Sequence, residues 1–223
     1  MRPGRAKADD PAMSQQVIII GTGGHAGVLC EVLRMRGIVV SASIARDPPS
    51  KEWLEKYQHL GQERILEGLD PSGVSLVNGV GSAGSTELHI RVFEYAKGLG
   101  FSFLSVIHPK SIIAESALLN EGVQIMAGAV VQTGAQLGRN VLINSGAIVD
   151  HDCRIGPHCH VATGASLSGA VVLGEGVHVG TGASIIQEAN IGARVIVGAG
   201  AVVTRDVPEG QTMVGVPARP LES

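Results

Sequence analysis

The stretch Ile143-Asn144-Ser145-Gly146-Ala147-Ile148-Val149-Asp150-His151-Asp152-Cys153-Arg154-Ile155-Gly156-Pro157-His158-Cys159-His160-Val161 has Ile or Val at every sixth place, 143, 149, 155 and 161. Four places after each of the first three comes a small residue: Ala147, Cys153 and Cys159. The pattern extends in both directions. From Ile113 to Val203 every sixth residue is Ile, Leu or Val, sixteen in register, which a composition only 44% hydrophobic does not give by chance. The place four residues on holds Ala, Val or Cys throughout, ending at Val207. A six-residue period of this kind marks a parallel β-helix. Three hexads make one triangular coil of 18 residues, so an inward residue stacks on its equivalent 18 places later. The corners need positive φ, and Gly128, Gly134, Gly146, Gly164, Gly182 and Gly200 fall there. Few aromatics are expected inside so narrow a prism, and the chain is 3% aromatic.

The rest of the chain follows a different period. Val17–Ile20 is a buried-strand run. The turn Gly21-Thr22-Gly23-Gly24-His25-Ala26-Gly27 follows, and then Val28, Leu29, Val32 and Leu33 at helical spacing. Further strands are expected at Ile38–Ile44, Ser75–Val80 and Phe101–Ile107, with helical character in Trp53–Leu69 and Thr86–Leu99. That alternation implies a small open parallel sheet. The expected organisation is therefore a disordered extension at 1–14, a parallel α/β domain at 15–109 and a β-helix domain at 110–223.

Composition narrows the partners. A net charge of −3 offers no basic surplus for nucleic acid or an anionic membrane. No run of about 18 apolar residues predicts a transmembrane helix. Residues 1–16 lack the apolar core of a secretory signal. Cys30, Cys153 and Cys159 make no disulfide framework and read as reduced core thiols of a cytoplasmic protein.

With Ile20-Gly21-Thr22-Gly23-Gly24-His25, Ile107-His108-Pro109, Asn144, Val149-Asp150-His151-Asp152-Cys153 and Gly215-Val216-Pro217-Ala218-Arg219, the chain resembles the two-domain hexapeptide acyltransferases that N-acetylate nucleotide-linked amino sugars, relatives of sialic acid O-acetyltransferase. The likeness covers about residues 15–221. It implies a Rossmann-like nucleotide-sugar-binding domain, a left-handed parallel β-helix, a homotrimer and acetyl-CoA as co-substrate without a metal. It further implies an acceptor of the GDP-perosamine or UDP-4-amino-sugar type, and a place in O-antigen or lipopolysaccharide biosynthesis.

His151 is the sharpest candidate for chemistry. It occupies an outward corner place, and 18 residues on, at the equivalent place of the next coil, stands Gly169. The resemblance makes His151 the general base, a task suited to a side chain titrating near 6.5. An exposed surface histidine is the bland alternative. Asp152, or less well Asp150, would orient the ring; either also reads as an ordinary turn residue. The resemblance places the Gly169 amide and His160 near the acetyl group, and Gly182, Ala183 and Arg219 along coenzyme A. It assigns Gly21, Gly23, Gly24, His25 and Asn144 to the sugar nucleotide. From the residues alone, His160 and His178 form a surface ladder, and Arg219 is a surface arginine.

The glycine turn opens a helix and suits a phosphate. Its spacing is not GxGxxG, and no clear acidic residue ends the second strand, which reads Val40-Ser41-Ala42-Ser43-Ile44-Ala45-Arg46-Asp47. Both points speak against an NAD site. O-acetylation of a sialic acid or polysaccharide is a competing reading. A zinc hydratase would need three convergent histidines, but Leu142 and Ile196 flank His160 and His178 in their column. A non-catalytic scaffold or sensor would have no use for His151 and Asp152 beside Gly169.

Overall fold

A computed structural model describes residues 16–48, 56–82 and 84–221. The 1–14 extension and part of the Trp53–Leu69 segment lie outside the described residues.

The first region is a five-stranded, all-parallel sheet. Its strands are β1 (Gln16–Ile20), β2 (Val40–Ile44), β3 (Gln58–His59), β4 (Val74–Asn78) and β5 (Ser102–Phe103), in the order β3-β2-β1-β4-β5. Helix α1 (Gly24–Met35) follows β1, and α2 (Glu87–Gly98) precedes β5. The side chains of β1 alternate across the sheet. Val17 and Ile19 pack with Leu29, Val32 and Leu33 of α1, whereas Ile18 and Ile20 pack with Val92, Phe93 and Ala96 of α2. Both faces are covered, so β1 reads as an unbroken apolar run. Within the expected helical stretch Trp53–Leu69, the described part holds the edge strand β3 and a 3-10 turn at Glu63–Gly68. The short hydrophobic spacing there fits either element.

The second region is a triangular prism. Seventeen two-residue strands, six residues apart, run from Val106–Ile107 to Val202–Val203 and form three parallel faces. Each strand pairs with those 18 residues before and after it, as in Leu142↔His160 and His160↔His178. The inward Ile, Leu and Val and the small residue of each hexad fill the axis as one continuous core. The ladder starts at Val106, which pairs with Gln124. The expected last strand, Phe101–Ile107, is thus two strands, and the chain passes from sheet to prism within Leu104 and Ser105. Pro109 lies inside the first coil.

The corner glycines have positive φ as expected. So do Asn140, Asp152, His158, Ala170, Glu188 and Arg194, with φ between 56° and 63°. The coil itself imposes this conformation, and residues less suited than glycine adopt it.

The two regions meet along one prism face and one corner. Met126 and Leu142 of the prism complete the apolar layer beneath α1. A buried polar network runs beside it. Asn78 Nδ2 donates to His89 O and Asn140 Oδ1, and Asn140 Nδ2 donates to His158 Nδ1 at 3.0 Å. His158 Nε2 faces Glu94 at 3.1 Å, and Thr86 Oγ1 donates to Gly176 O. At its edge Glu121 accepts from Lys97 Nζ and from the Phe103 amide.

Candidate active site

The turn after β1 sits where the sheet order reverses, between β1 and β4, at the carboxyl ends of the strands. Open parallel sheets bind ligands at such a switch point. Gly21 (φ 104°) and Gly79 lie back to back there. A Cβ on Gly21 would strike the Gly79 backbone, and one on Gly79 would strike Ile20 O and the Ala26 side chain. Their glycines are needed by the fold. Gly23 and Gly24 are different, because a Cβ on either meets no protein atom within 4 Å. Gly23 caps α1 without a side-chain bond, and no acidic residue occupies the first turn. The amides of a first helical turn have no acceptor within the helix, and space lies open beside Gly23 and Gly24, an arrangement suited to an anion. Gly24, Gly27, Val28, His108, Ala127 and Ser145 are among the residues around a cavity of about 370 Å³.

His25 faces the prism. Gln124 Nε2 donates to Asn78 O at 2.7 Å, which fixes the amide and leaves Gln124 Oε1 to accept from His25 Nε2–H at 2.7 Å. Burial pushes the His25 ring down to about 4, so it is neutral at pH 7. Any attraction for phosphate at this turn comes from the helix amides, not from an imidazolium.

A second cavity, of about 470 Å³, opens beside the first at the corner that follows the His160 face. Ser82, Asn144, His160, His178 and Thr181 give it polar groups, and Ala162, Ile196, Val197 and Ala199 an apolar wall. The His160 ring is held at both ends. Asn144 Oδ1 accepts from Ser145 N–H at 2.8 Å, so its Nδ2 points at His160 Nε2, 3.2 Å away. His160 Nε2 is therefore the bare nitrogen, and Nδ1–H donates to Ser82 Oγ at 2.5 Å. Burial and the neighbouring His178 push His160 down to about 3. The rings of His160 and His178 meet edge to face, 4.9 Å between centroids.

His151 occupies a different corner, reached from Asn144 by crossing the face that contains Ile148–Val149. It is exposed. Its Nδ1 lies 2.9 Å from Asp152 Oδ2, and its amide donates to Asp150 Oδ1 at 2.7 Å. With Nδ1–H engaged, Nε2 is left as the base, and the Asp152 hydrogen bond holds the ring above the ordinary histidine value. The imidazole folds over Gly169, where any Cβ would overlap Nε2 and Cε1. The backbone oxygen of Gly169 accepts from Glu188 N–H, while its own N–H has no acceptor among the described residues.

One chain thus brings His151, Asp152 and Gly169 together at one corner and His160 and Asn144 at another. It does not join the two groups. Gly182 is exposed at the second corner. Ala183 does not face a ligand groove, contrary to expectation. It is the small inward residue of its hexad, wholly buried in the axial core, and its N–H donates to Gly180 O. Arg219 is exposed on a short antiparallel strand at the prism end, bonded to Ala218 O, and does not line the cavity of His160. Sequence reasoning missed Ser82 and Gln124. A polar Gln124 between Val106 and Leu142 in one outward column was the available signal for the second. Among the described residues no group of three His, Cys, Asp or Glu could hold a metal ion, and no helix is long and apolar enough to cross a membrane.

Known proteins share the repeat and the fold of this chain. Residues 134–169 match the family model described as bacterial transferase hexapeptide (six repeats). PerB from Caulobacter crescentus, solved with CoA and GDP-perosamine, is 38% identical, with a TM-score of 0.86 over 95% of this chain and 99% of that one. The acetyltransferase domain of PglB from Neisseria gonorrhoeae FA1090, solved with acetyl coenzyme A, is 34% identical, with a TM-score of 0.84 over 93% and 100% of the two chains. A UDP-N-acetylbacillosamine N-acetyltransferase of Bacillus subtilis (strain 168) is 38% identical over 119 residues, 51% of this chain and 52% of that protein. The match therefore spans about half the length of that relative. With more than a third of its residues shared across nearly the whole of PerB, the chain belongs to the hexapeptide-repeat sugar N-acetyltransferases.

Proposed function

We propose that the protein transfers the acetyl group of acetyl-CoA to the amino group of a nucleotide-linked amino-deoxysugar. The observation that carries this reading is the His151–Asp152 pair folded over Gly169. The sugar amine attacks the thioester carbonyl carbon directly. A C–N bond forms, the C–S bond breaks, His151 Nε2 takes the proton from the amine and passes it to the departing sulfur, and coenzyme A leaves as the thiol. The Gly169 N–H, without an acceptor among the described residues, is the donor for the carbonyl oxygen as it gains charge. Glycine at 169 admits both the imidazole and this close approach.

The region at 15–109 acts as a Rossmann-like nucleotide-sugar holder, with the diphosphate on the amides at Gly23 and Gly24 and the sugar directed toward Asn144. The region at 110–223 is a left-handed β-helix. The acceptor class is supported by the relatives: GDP-perosamine lies in the PerB structure, and the Bacillus relative is named for a UDP-linked sugar. The chain has Ser43-Ile44-Ala45-Arg46 at the end of β2, without an acidic pair and with Asp47 only three residues on, which favours the GDP-linked acceptor. We place the enzyme in the cytoplasm.

The separation of the two corners supports a trimer. The face between them exposes Ile112 and Ile148. Packing that face against a second copy sets the His151 corner of one prism beside the His160 cavity of its neighbour, and closed threefold symmetry satisfies all three copies. The test is His151→Asn in an acetyl-transfer assay with GDP-perosamine and a UDP-4-amino sugar. Turnover should fall by about 10²–10⁴, the contribution of a positioned general base, with the oligomer unchanged by light scattering. Full activity in this variant would falsify the mechanism.

A further inference from the structure

The cavity beside Asn144 contains two histidines in unlike states. Both ring nitrogens of His160 are committed within the protein, to Ser82 and to Asn144. His178, one coil on, is 8% exposed, and its Nδ1 is buried with no hydrogen-bond partner. Buried polar atoms are nearly always partnered, and an exception in a cavity wall marks a place where a ligand supplies the missing bond. Nothing in the fold requires histidine at 178. The outward places before and after this histidine pair in the same column are Leu142 and Ile196, and the strand pairing is the same at all of them.

We propose that His178 is the binding residue for the amide-bearing arm of the acyl donor, which rests on the acetyltransferase reading above. A neutral imidazole has one donor and one acceptor. A secondary amide, of which the pantetheine arm of coenzyme A has two, has the complementary pair. Burial lowers the His178 pKa, so the ring is neutral at pH 7, unsuited to a phosphate and suited to an amide. The surrounding wall of Ala162, Ile196, Val197 and Ala199 fits methylene groups and offers little to a sugar rich in hydroxyls. His160 then serves as a positioning residue. Its edge against the His178 ring limits how that ring can turn.

The test compares His178→Ala and His178→Gln with the unaltered enzyme, by calorimetric titration with CoA and by steady-state kinetics. In His178→Ala the CoA dissociation constant and the KM for acetyl-CoA should rise about tenfold, the loss of one hydrogen bond to a buried group. The KM for the sugar nucleotide should stay within about twofold. Glutamine, which keeps a donor and an acceptor, should recover part of the loss. In the unaltered protein the His178 ring nitrogens should shift in 15N NMR on adding CoA, a readout that needs no variant to fold. Unchanged CoA affinity in a folded His178→Ala, equal rises in both KM values, or ring nitrogens that do not respond to bound CoA each overturn the assignment. No CoA binding to the unaltered protein overturns the acetyltransferase reading itself.

Discussion

The corner at His151 and the face at His160 and His178 are built from the same hexad, yet they treat the same side chain in opposite ways. At the corner the imidazole stands in solvent, bonded to a carboxylate that keeps it above its ordinary value. On the face the rings are buried without a carboxylate partner, and burial drives them down, His160 to about 3. The fold supplies a rigid ladder in both places. What differs is what lies above it: water at the corner, the loop after β4 over the face. A histidine raised toward the charged form and histidines held neutral are thus separated by cover, not by backbone conformation.

The most direct way to break that contrast is at Gly169. Gly169→Ala leaves the backbone unstrained, because φ is not positive there, but puts a methyl where the His151 ring lies. We expect kcat/KM to fall about a hundredfold, the cost of a displaced reacting group. The melting temperature should barely change, since an exposed ring can swing away. A variant with normal activity would show that the ring does not work from this position. A smaller effect is expected from Asp152→Asn, which sharpens the corner half of the comparison. Losing the carboxylate lowers the pKa of His151. The acidic limb of the pH–rate profile should therefore move to lower pH while the plateau drops by less than in His151→Asn. An acidic limb that stays in place would assign the raised pKa to another group.

The smallest effect concerns the covered histidines and stability. His25 and His160 titrate near 4 and 3 in the folded protein, below the ordinary value near 6.5, and burial lowers His89, His158 and His178 as well. Below about pH 6.5 the unfolded chain takes up protons that the folded chain refuses. Stability should be full above this pH and decline as the pH falls toward 4. Denaturant midpoints measured from pH 7.5 to 4.5 check the sign. A midpoint that rises on acidification would mean that these rings are charged in the fold.

Much of the prism was legible because its geometry is arithmetic along the chain. Adding 18 to His151 gives Gly169, and adding 18 to His160 gives His178, so the two key juxtapositions needed no tertiary knowledge. The same arithmetic misled at Ala183, where proximity to a corner suggested a groove while the hexad place itself pointed inward. It also passed over Ile107, in register six residues before Ile113, because the preceding run looked like one long strand. The seam was not legible. Gln124, Asn140 and Ser82 owe their roles to which coil the sheet region covers, a contact between segments up to 99 residues apart. The same arithmetic puts His151 and His160 half a coil apart, at different places on the prism; that the sheet region covers the second and leaves the first open was not legible.

A tube that repeats every 18 residues offers almost the same apolar surface at each level, so hydrophobic contact alone would let the sheet region slide up or down by a coil. The polar seam at Gln124, Asn140, His158 and His160 removes that freedom. One coil higher the partner of His25 would be Leu142, and that of Ser82 would be His178. The hydrogen bonds act as an address written on an otherwise uniform column. An enzyme of this design could lengthen its prism by whole coils at the far end and still find its acceptor delivered to the same level.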